Sequence, residues 1–239
     1  MAERYSVHEA IVLDLTSVGE YDAYLDLFTR TGRMHARAPG LNRPTSRLKG
    51  ILQPLNWVSV HVYRRGRQYT VVGAELRDAL RHLKERLEGV AAAHYLAELV
   101  GRLDLSGELF DWALEALRRF DEEGVDAPHF LGAKRALLAR LGWDPGGKTC
   151  PLCGRRIVGE AKVEESLGAF VHPECRPGGV RVSGRARAFL AGEEEEAPWG
   201  EVWAVLRQLF VLHLGEEPKA ERFARSVLLR GVGGEPAAR

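Results

Sequence analysis

The chain has 239 residues, room for one large domain or two to three small ones at roughly 150 residues per domain. Its 45% hydrophobic and 28% charged residues are an ordinary globular balance, which excludes a disordered, collagen-like or coiled-coil chain. Basic and acidic residues number 34 and 33, a formal net charge of +1, and taken whole that figure speaks against a nucleic-acid protein.

The first 75 or so residues read as β structure. Ala10 to Leu15 alternates in part, and Tyr21 to Thr29 places Ala23, Leu25 and Leu27 on one face and Asp22, Tyr24 and Asp26 on the other. Thr31-Gly32 marks a turn, and Arg33 to Ala38 alternates polar and apolar throughout. Gly40 to Gly50 reads as a loop. A strand over Leu55 to Tyr63, a hairpin at Arg64 to Arg67 and a last strand over Gln68 to Glu75 complete the set. Five short strands without crossover helices predict a small antiparallel barrel of OB-fold size.

From Leu80 the period becomes helical, with Leu83, Leu87 and Val90, then Leu96, Leu99 and Leu103. Ser106 is placed to cap a second helix carrying Leu109, Trp112, Leu117 and Phe120. Asp126 caps a third, with Pro128 in its first turn and Gly142 as its stop. After the breaker cluster Trp143 to Gly147, helical periodicity lapses until Ser183, which caps a helix holding Ala186, Phe189 and Leu190. The acidic run Glu193 to Glu196 reads as a solvated loop, and helices follow over Glu201 to Leu214 and Lys219 to Arg230; the tail from Gly231 reads as frayed. Asp104, Asp111 and Glu115 read as a solvated face, and His94 and His213 as core or boundary groups. The plan is a multidomain α+β chain: an OB-fold barrel over 1–80, a helical domain begun at 81–147, an insert over 148–182 and more helix over 183–239. The helices on either side of the insert are expected to pack together.

No apolar stretch reaches the roughly 18 residues of a membrane span. Glu3, Arg4 and Glu9 leave no apolar segment behind a basic start, so a cytoplasmic protein with no membrane contact is expected. The three cysteines, Cys150, Cys153 and Cys175, fall within 26 residues, which argues against a disulfide framework. Cys150-Pro-Leu-Cys153 and His172-Pro-Glu-Cys175 are two pairs of ligand-type residues, each spaced by two. Such pairs converge on one structural Zn²⁺ with a closed Cys₃His set. Gly154, Gly178 and Gly179 supply permissive backbone, and an insert poor in large apolar groups calls for a metal. The alternatives are free cysteines with an incidental histidine, or one activated thiol, which would want a base rather than two closed knuckles.

Charge is segregated. Residues 27–74 hold no acid and nine basic residues, leaving 25 basic against 33 acidic elsewhere, so a +9 segment is joined to a −8 remainder. Arg33, His35 and Arg37 share one strand face; Arg43, Arg47 and Lys49 fall in the following loop, and Arg64, Arg65 and Arg67 in the hairpin. With Val58, Val60 and Val62 inside, Leu55, Trp57, Ser59, His61 and Tyr63 lie outside. Cations for phosphate and flat rings for bases suit single-stranded nucleic acid. The competing placement puts Trp57 and Tyr63 in the core. No P-loop, GxSxG, HExxH or dinucleotide fingerprint is present, which favours a binding protein over an enzyme.

Several segments resemble the RecO family of bacterial DNA repair proteins. They are Ile11-Val12-Leu13, Gly19 to Asp22, Leu27-Phe28-Thr29, Gly32-Arg33, Ala38-Pro39-Gly40, Arg43-Pro44, Ser46-Arg47-Leu48, Leu52-Gln53-Pro54 and Ala74-Glu75. The layout of barrel, helices and cysteine insert is similar along the whole chain, with one departure: His172 stands where many zinc-bearing members carry a cysteine. The resemblance implies a recombination mediator that binds single- and double-stranded DNA and anneals complementary strands. It implies that the protein works with RecR to load RecA on DNA coated by the single-stranded-DNA-binding protein SSB, in the nucleoid. It also implies docking of the SSB C-terminal tail on the helical domain, for which Lys219, Arg222, Phe223 and Arg225, beside Val227 and Leu228, are candidates. A different class, a zinc-containing RNA-binding accessory protein of transcription or translation, would use the same barrel. A scaffold that binds only protein predicts no salt-sensitive affinity.

Overall fold

The computed structural model describes residues 4–103, 107–146 and 148–230; the expected cap at Ser106, Asp104, Gly147 and the tail from Gly231 lie outside them. The chain divides into two compact units, one ending at Gly124 and one beginning at Val125.

The first unit opens with β1 (Tyr5–Val18), β2 (Asp22–Thr29), β3 (Gly32–Ala38), α1 (Leu48–Ile51), β4 (Trp57–Arg65) and β5 (Gln68–Asp78). The strands close in the order β1-β2-β3-β5-β4, with β3 parallel to β5 and the other pairs antiparallel. This is the five-stranded OB-type barrel that the sequence predicts. Alternation decides which side faces in: Met34, Ala36 and Ala38 of β3 are buried while Arg33, His35 and Arg37 are exposed. Val58, Val60 and Val62 meet Ala10, Val12, Leu25 and Leu27 in the interior. The β4–β5 hairpin turns on Gly66 and Arg67, with Gly66 at φ 62°, a conformation open to glycine at the first central position of a type II′ turn.

Three details depart from the sequence pattern. The loop after β3 ends in α1, whose Leu48 and Ile51 pack against the barrel core. The strand expected from Leu55 starts at Trp57, because Leu55 is buried at φ 66° with its N–H donated to the Val12 carbonyl at 2.7 Å. Ser59 is buried as well, so the outer face of β4 is open only toward its hairpin end.

Helices α2 (Arg81–Glu85), α3 (Leu87–Arg102) and α4 (Gly107–Glu123) belong to this unit. The single helix expected from Leu80 is broken at Arg86, which is extended. α2 folds back so closely on α3 that a Cβ on Gly89 would lie 2.2 Å from the Leu83 carbonyl oxygen. Phe110 of α4 meets Phe28 of β2 with ring centroids 5.8 Å apart. His94 is exposed rather than in the core, since its helix neighbours Ala93 and Tyr95 point inward instead.

The second unit holds α5 (Ala127–Arg140), a sheet of β6 (Ala161–Glu164), β7 (Ala169–Val171) and β8 (Val180–Val182) in the order β7-β6-β8, then α6 (Gly184–Leu190), α7 (Trp199–Leu214) and α8 (Glu221–Leu228). Asp126 accepts a hydrogen bond from the His129 N–H and Ser183 one from the Ala186 N–H, the two caps expected. α5 and α6 both pack on α7, so helices on either side of the insert do meet. Phe130 of α5 stacks on Trp203 of α7 at 5.2 Å. The insert's small sheet has no counterpart in the sequence pattern; Val163, Phe170 and Val182 on it are buried. No helix among the described residues is long and apolar enough to cross a membrane.

Candidate metal centre and nucleic-acid surface

Two tight turns build the cysteine cluster. The Cys150 N–H donates to the Arg155 carbonyl and the Cys150 carbonyl accepts from the Gly154 N–H, both at 2.9 Å. Gly154 sits at φ 70°, the left-handed backbone that lets this turn close. The second turn is closed by the Cys175 N–H donating to the His172 carbonyl at 3.1 Å. The donor atoms of Cys150, Cys153, His172 and Cys175 all lie within 4.8 Å of one another. Tetrahedral zinc, with Zn–S bonds near 2.3 Å, would set its ligands roughly 3.8 Å apart, so the set fits a divalent metal.

His172 is oriented for ligation. Its Nε2 lies 3.0 Å from the Arg156 carbonyl, which accepts that ring N–H and leaves Nδ1 as the lone pair, 3.3 Å from Cys153 Sγ and 3.8 Å from Cys175 Sγ. A ligating histidine is commonly fixed through its second nitrogen in this way. The sequence carries no signal for Arg156, because it contributes only its backbone.

The three thiols do not share one environment. Burial pushes Cys150 up, but backbone N–H groups of His172, Cys153 and Leu152 and the His172 side chain outweigh it and hold the thiol at about 6. Hydrogen bonds from Arg155 lower Cys153. Burial, then Cys153 and Cys150, push Cys175 up to about 11. Packed sulfurs cannot all ionise alone; a dication replaces the protons they would otherwise keep.

On the barrel, the nine basic residues of the acid-free segment fall into two sets. Register puts β2 acids beside β3 cations, with Asp26 opposite His35 and Tyr24 opposite Arg37. Arg33 Nε donates to Asp26 Oδ1 at 2.7 Å, and Arg33 also donates to the Gly101 carbonyl at 2.7 Å. His35 Nδ1 lies 3.6 Å from Asp26, and Arg37 bonds Asp22 at 2.6 Å. The Arg37 hydrogen bond is the main cause holding the Asp22 carboxyl below its usual range, followed by the Gly40 N–H. Arg30 bonds Glu9 at 2.7 Å and Asp111 at 2.5 Å. The second set, Arg43, Arg47, Lys49, Arg64, Arg65 and Arg67, has no carboxylate within 4.0 Å among the described residues. Asp22 and Asp26 lie just before the acid-free segment, so a count along the chain could not see them. Their place on the outer face of β2 was the available signal.

The remaining candidates scatter. Trp57 is half-buried and its ring N–H is buried with no hydrogen-bond partner among the described residues. Tyr63 is half-buried and rests on Tyr5 at 5.0 Å. On α8, Arg222, Phe223 and Arg225 are exposed, whereas Val227 and Leu228 are buried. Lys219, in the preceding turn, is exposed. Phe223 is thus the exposed apolar member of that group.

Comparison with known families matches residues 1–80 to the family described as recombination protein O N terminal and residues 84–222 to recombination protein O C terminal. A DNA repair protein RecO of Pelotomaculum thermopropionicum is 37% identical over 174 residues, 70% of this chain and 67% of that protein. One of Desulforudis audaxviator is 32% identical over 241 aligned positions, 92% of this chain and 96% of that protein. One of Rubrobacter xylanophilus is 31% identical over 174, covering 70% and 69%.

Proposed function

The chain belongs to the recombination protein O family, and on that premise we propose that it is a recombination mediator in DNA repair, acting by binding rather than by catalysis. It binds single- and double-stranded DNA, anneals complementary strands and, with RecR, helps load RecA on SSB-coated single strands in the nucleoid. The observation that carries this reading is the set of six barrel cations with no carboxylate within 4.0 Å among the described residues, at Arg43, Arg47, Lys49 and at Arg64, Arg65, Arg67. Unneutralised cations release condensed counterions from phosphates and give affinity without sequence preference. Two strands held on one positive surface repel each other less and meet more often, which is what annealing needs. Arg33, His35, Arg37 and Trp57 belong to the same DNA-binding part, Arg33 and Arg37 with their charge offset by Asp26 and Asp22 and His35 3.6 Å from Asp26.

In this reading 1–80 is the DNA-binding part, 148–182 a zinc-held insert, and 81–147 with 183–239 the helical part. One structural zinc takes Cys150, Cys153, His172 and Cys175, a closed set with no open position for chemistry. Arg222, Phe223, Arg225 and Lys219 offer cations around one exposed ring to the acidic, apolar SSB tail.

The test is annealing of SSB-coated complementary oligonucleotides. Arg43→Glu with Arg47→Glu, and Arg65→Glu with Arg67→Glu, should each slow annealing. Each pair should also flatten the salt dependence of single-strand binding, by roughly 0.7 in log–log slope for every phosphate that is no longer neutralised. Wild-type rates and slopes in both pairs would sink the proposal.

A further inference from the structure

At the hairpin end of the barrel, β1 and β4 carry an outward patch that the mediator reading leaves unused. Register pairs Tyr5 with Tyr63 and Val7 with His61, so these four side chains share the outer face. Tyr5 is 65% and Val7 61% exposed, an unusual placement for large apolar groups on a well-formed strand. The two tyrosine rings lie 5.0 Å apart. On the β5 side Thr70 is opposite Tyr63 and Gly73 opposite His61, with the exposed Val72 in the bulge between them.

The charge around the patch has one sign at one end. Arg65 shares the outer face with Tyr63 by alternation, and Arg67 lies in the adjoining turn. The Arg64 N–H donates to the Arg4 carbonyl at 2.7 Å, which brings Arg4 to the same hairpin. None of these arginines has a carboxylate within 4.0 Å among the described residues. Among the described residues the next acids on this face stand one step along it, where Glu9 is bound by Arg30 at 2.7 Å and Glu75 lies 3.7 Å from Arg77.

We infer that Tyr5 and Tyr63, with Val7 and His61 beside them, form a stacking platform for unpaired bases, and that Arg4 and Arg65 hold the backbone of the same single strand. This rests on the nucleic-acid reading above and names where on the barrel the single strand lies. Rings with open faces beside unpaired cations match the two parts of a single strand, its bases and its phosphates. A duplex buries its base faces, so it would meet only the arginines. By contrast, the outer cations of β3, beside the exposed Tyr24, are already held by Asp22 and Asp26.

Binding of a labelled oligo-dT and of a blunt duplex to the full chain, measured by fluorescence anisotropy across a salt series, tests this. Tyr5→Ala with Tyr63→Ala should weaken oligo-dT binding about 10-fold or more, since each stacked base contributes several-fold or more. The same change should leave duplex affinity and the salt slope unaltered, and Tyr5→Phe with Tyr63→Phe should bind as wild type. Arg4→Ala with Arg65→Ala should flatten the slope for both ligands. Tyr5→Ala alone, at a largely exposed position, should show a several-fold single-strand loss and guards against misfolding of the pair. Unchanged oligo-dT affinity in the tyrosine variants, or an equal loss on duplex, overturns the platform while leaving the mediator reading intact. If the wild-type chain binds neither ligand in a salt-sensitive manner, the mediator reading falls first.

Discussion

The two units bury different things. Among the described residues the first buries Thr29, Asn56 and Ser59 as its polar side chains and no charged one. The second buries Lys134, Lys162, Glu164, Arg187 and Glu221, together with a thiol of the cysteine cluster. A closed barrel satisfies its backbone through strand pairing and fills its interior with alternating apolar residues, so nothing ionisable is needed inside. The strands of the insert are 4, 3 and 3 residues long, too short a ladder to hold a fold by pairing alone. With a metal in the proposed site, stability in the second unit depends on charge and coordination, and it should respond to chelators, and to pH between about 8 and 10.5, where the barrel core does not.

The largest break in that comparison should come from the metal. Structural zinc contributes on the order of 10 kcal/mol of apparent folding free energy in small domains. Chelation, or Cys150→Ser, should abolish hydrogen-exchange protection over β6 to β8 and release one metal ion per chain, while β1 to β5 keep theirs. Protection of Ala161 to Glu164 that survives complete metal removal would show that the insert folds without it.

Next comes the buried ion pair. Lys134 Nζ lies 3.6 Å from Glu221 Oε2, is fully buried, and sits over the rings of Trp203 at 4.8 Å, Phe130 at 5.6 Å and Phe210 at 5.6 Å. Glu221 also accepts from the Trp203 ring N–H. Glu221→Ala should cost roughly 3–5 kcal/mol by stranding a buried ammonium. Lys134→Met combined with Glu221→Ala should recover much of it in urea unfolding. If the double variant is no better than the single, the loss belongs to the Trp203 hydrogen bond instead.

The same lysine gives the second unit a pH dependence. Burial, only partly opposed by Glu221, brings Lys134 down from 10.5 to about 8. Between those values the unfolded chain binds the proton that the folded chain has lost, so stability rises with pH across that window. The full effect is roughly 3 kcal/mol for a shift of this size, and Lys134→Met should remove it. The barrel core offers the contrast: Leu27→Ala should cost about 2–5 kcal/mol with no change in that pH profile.

How much of this was legible in the chain depends on whether a feature is local. Alternation in Arg33 to Ala38 and the valines at 58, 60 and 62 fixed which strand faces point inward, because period two is written in consecutive residues. The paired two-residue spacings exposed the cysteine cluster for the same reason. What escaped were contacts across register. Asp22 and Asp26 neutralise Arg37 and Arg33 from a neighbouring strand. Glu221 reaches Lys134 across 86 intervening positions, and Lys134 itself reads like any helix-surface lysine. Leu55 at φ 66° departed from a strand-like stretch because its N–H is claimed by Val12. No propensity encodes a hydrogen bond made by a residue more than 40 positions away.

The smallest expected effect sharpens the electrostatic side of the comparison within the barrel itself. Asp26→Asn keeps the shape of the side chain but removes the charge that holds Arg33 and lies 3.6 Å from His35. The exposed pair contributes little to stability, about 0–1 kcal/mol, and Arg33 keeps its hydrogen bond to the Gly101 carbonyl at 2.7 Å. The variant should therefore unfold at nearly the wild-type denaturant concentration. Its single-strand affinity should rise modestly at low salt, with a slope steeper by up to roughly 0.7 if the freed guanidinium reaches one more phosphate. Asp22→Asn should do the same through Arg37. An unchanged slope in both variants would mean that the bound strand never approaches the outer face of β3, and that the cations of the hairpin and of the loop before α1 suffice.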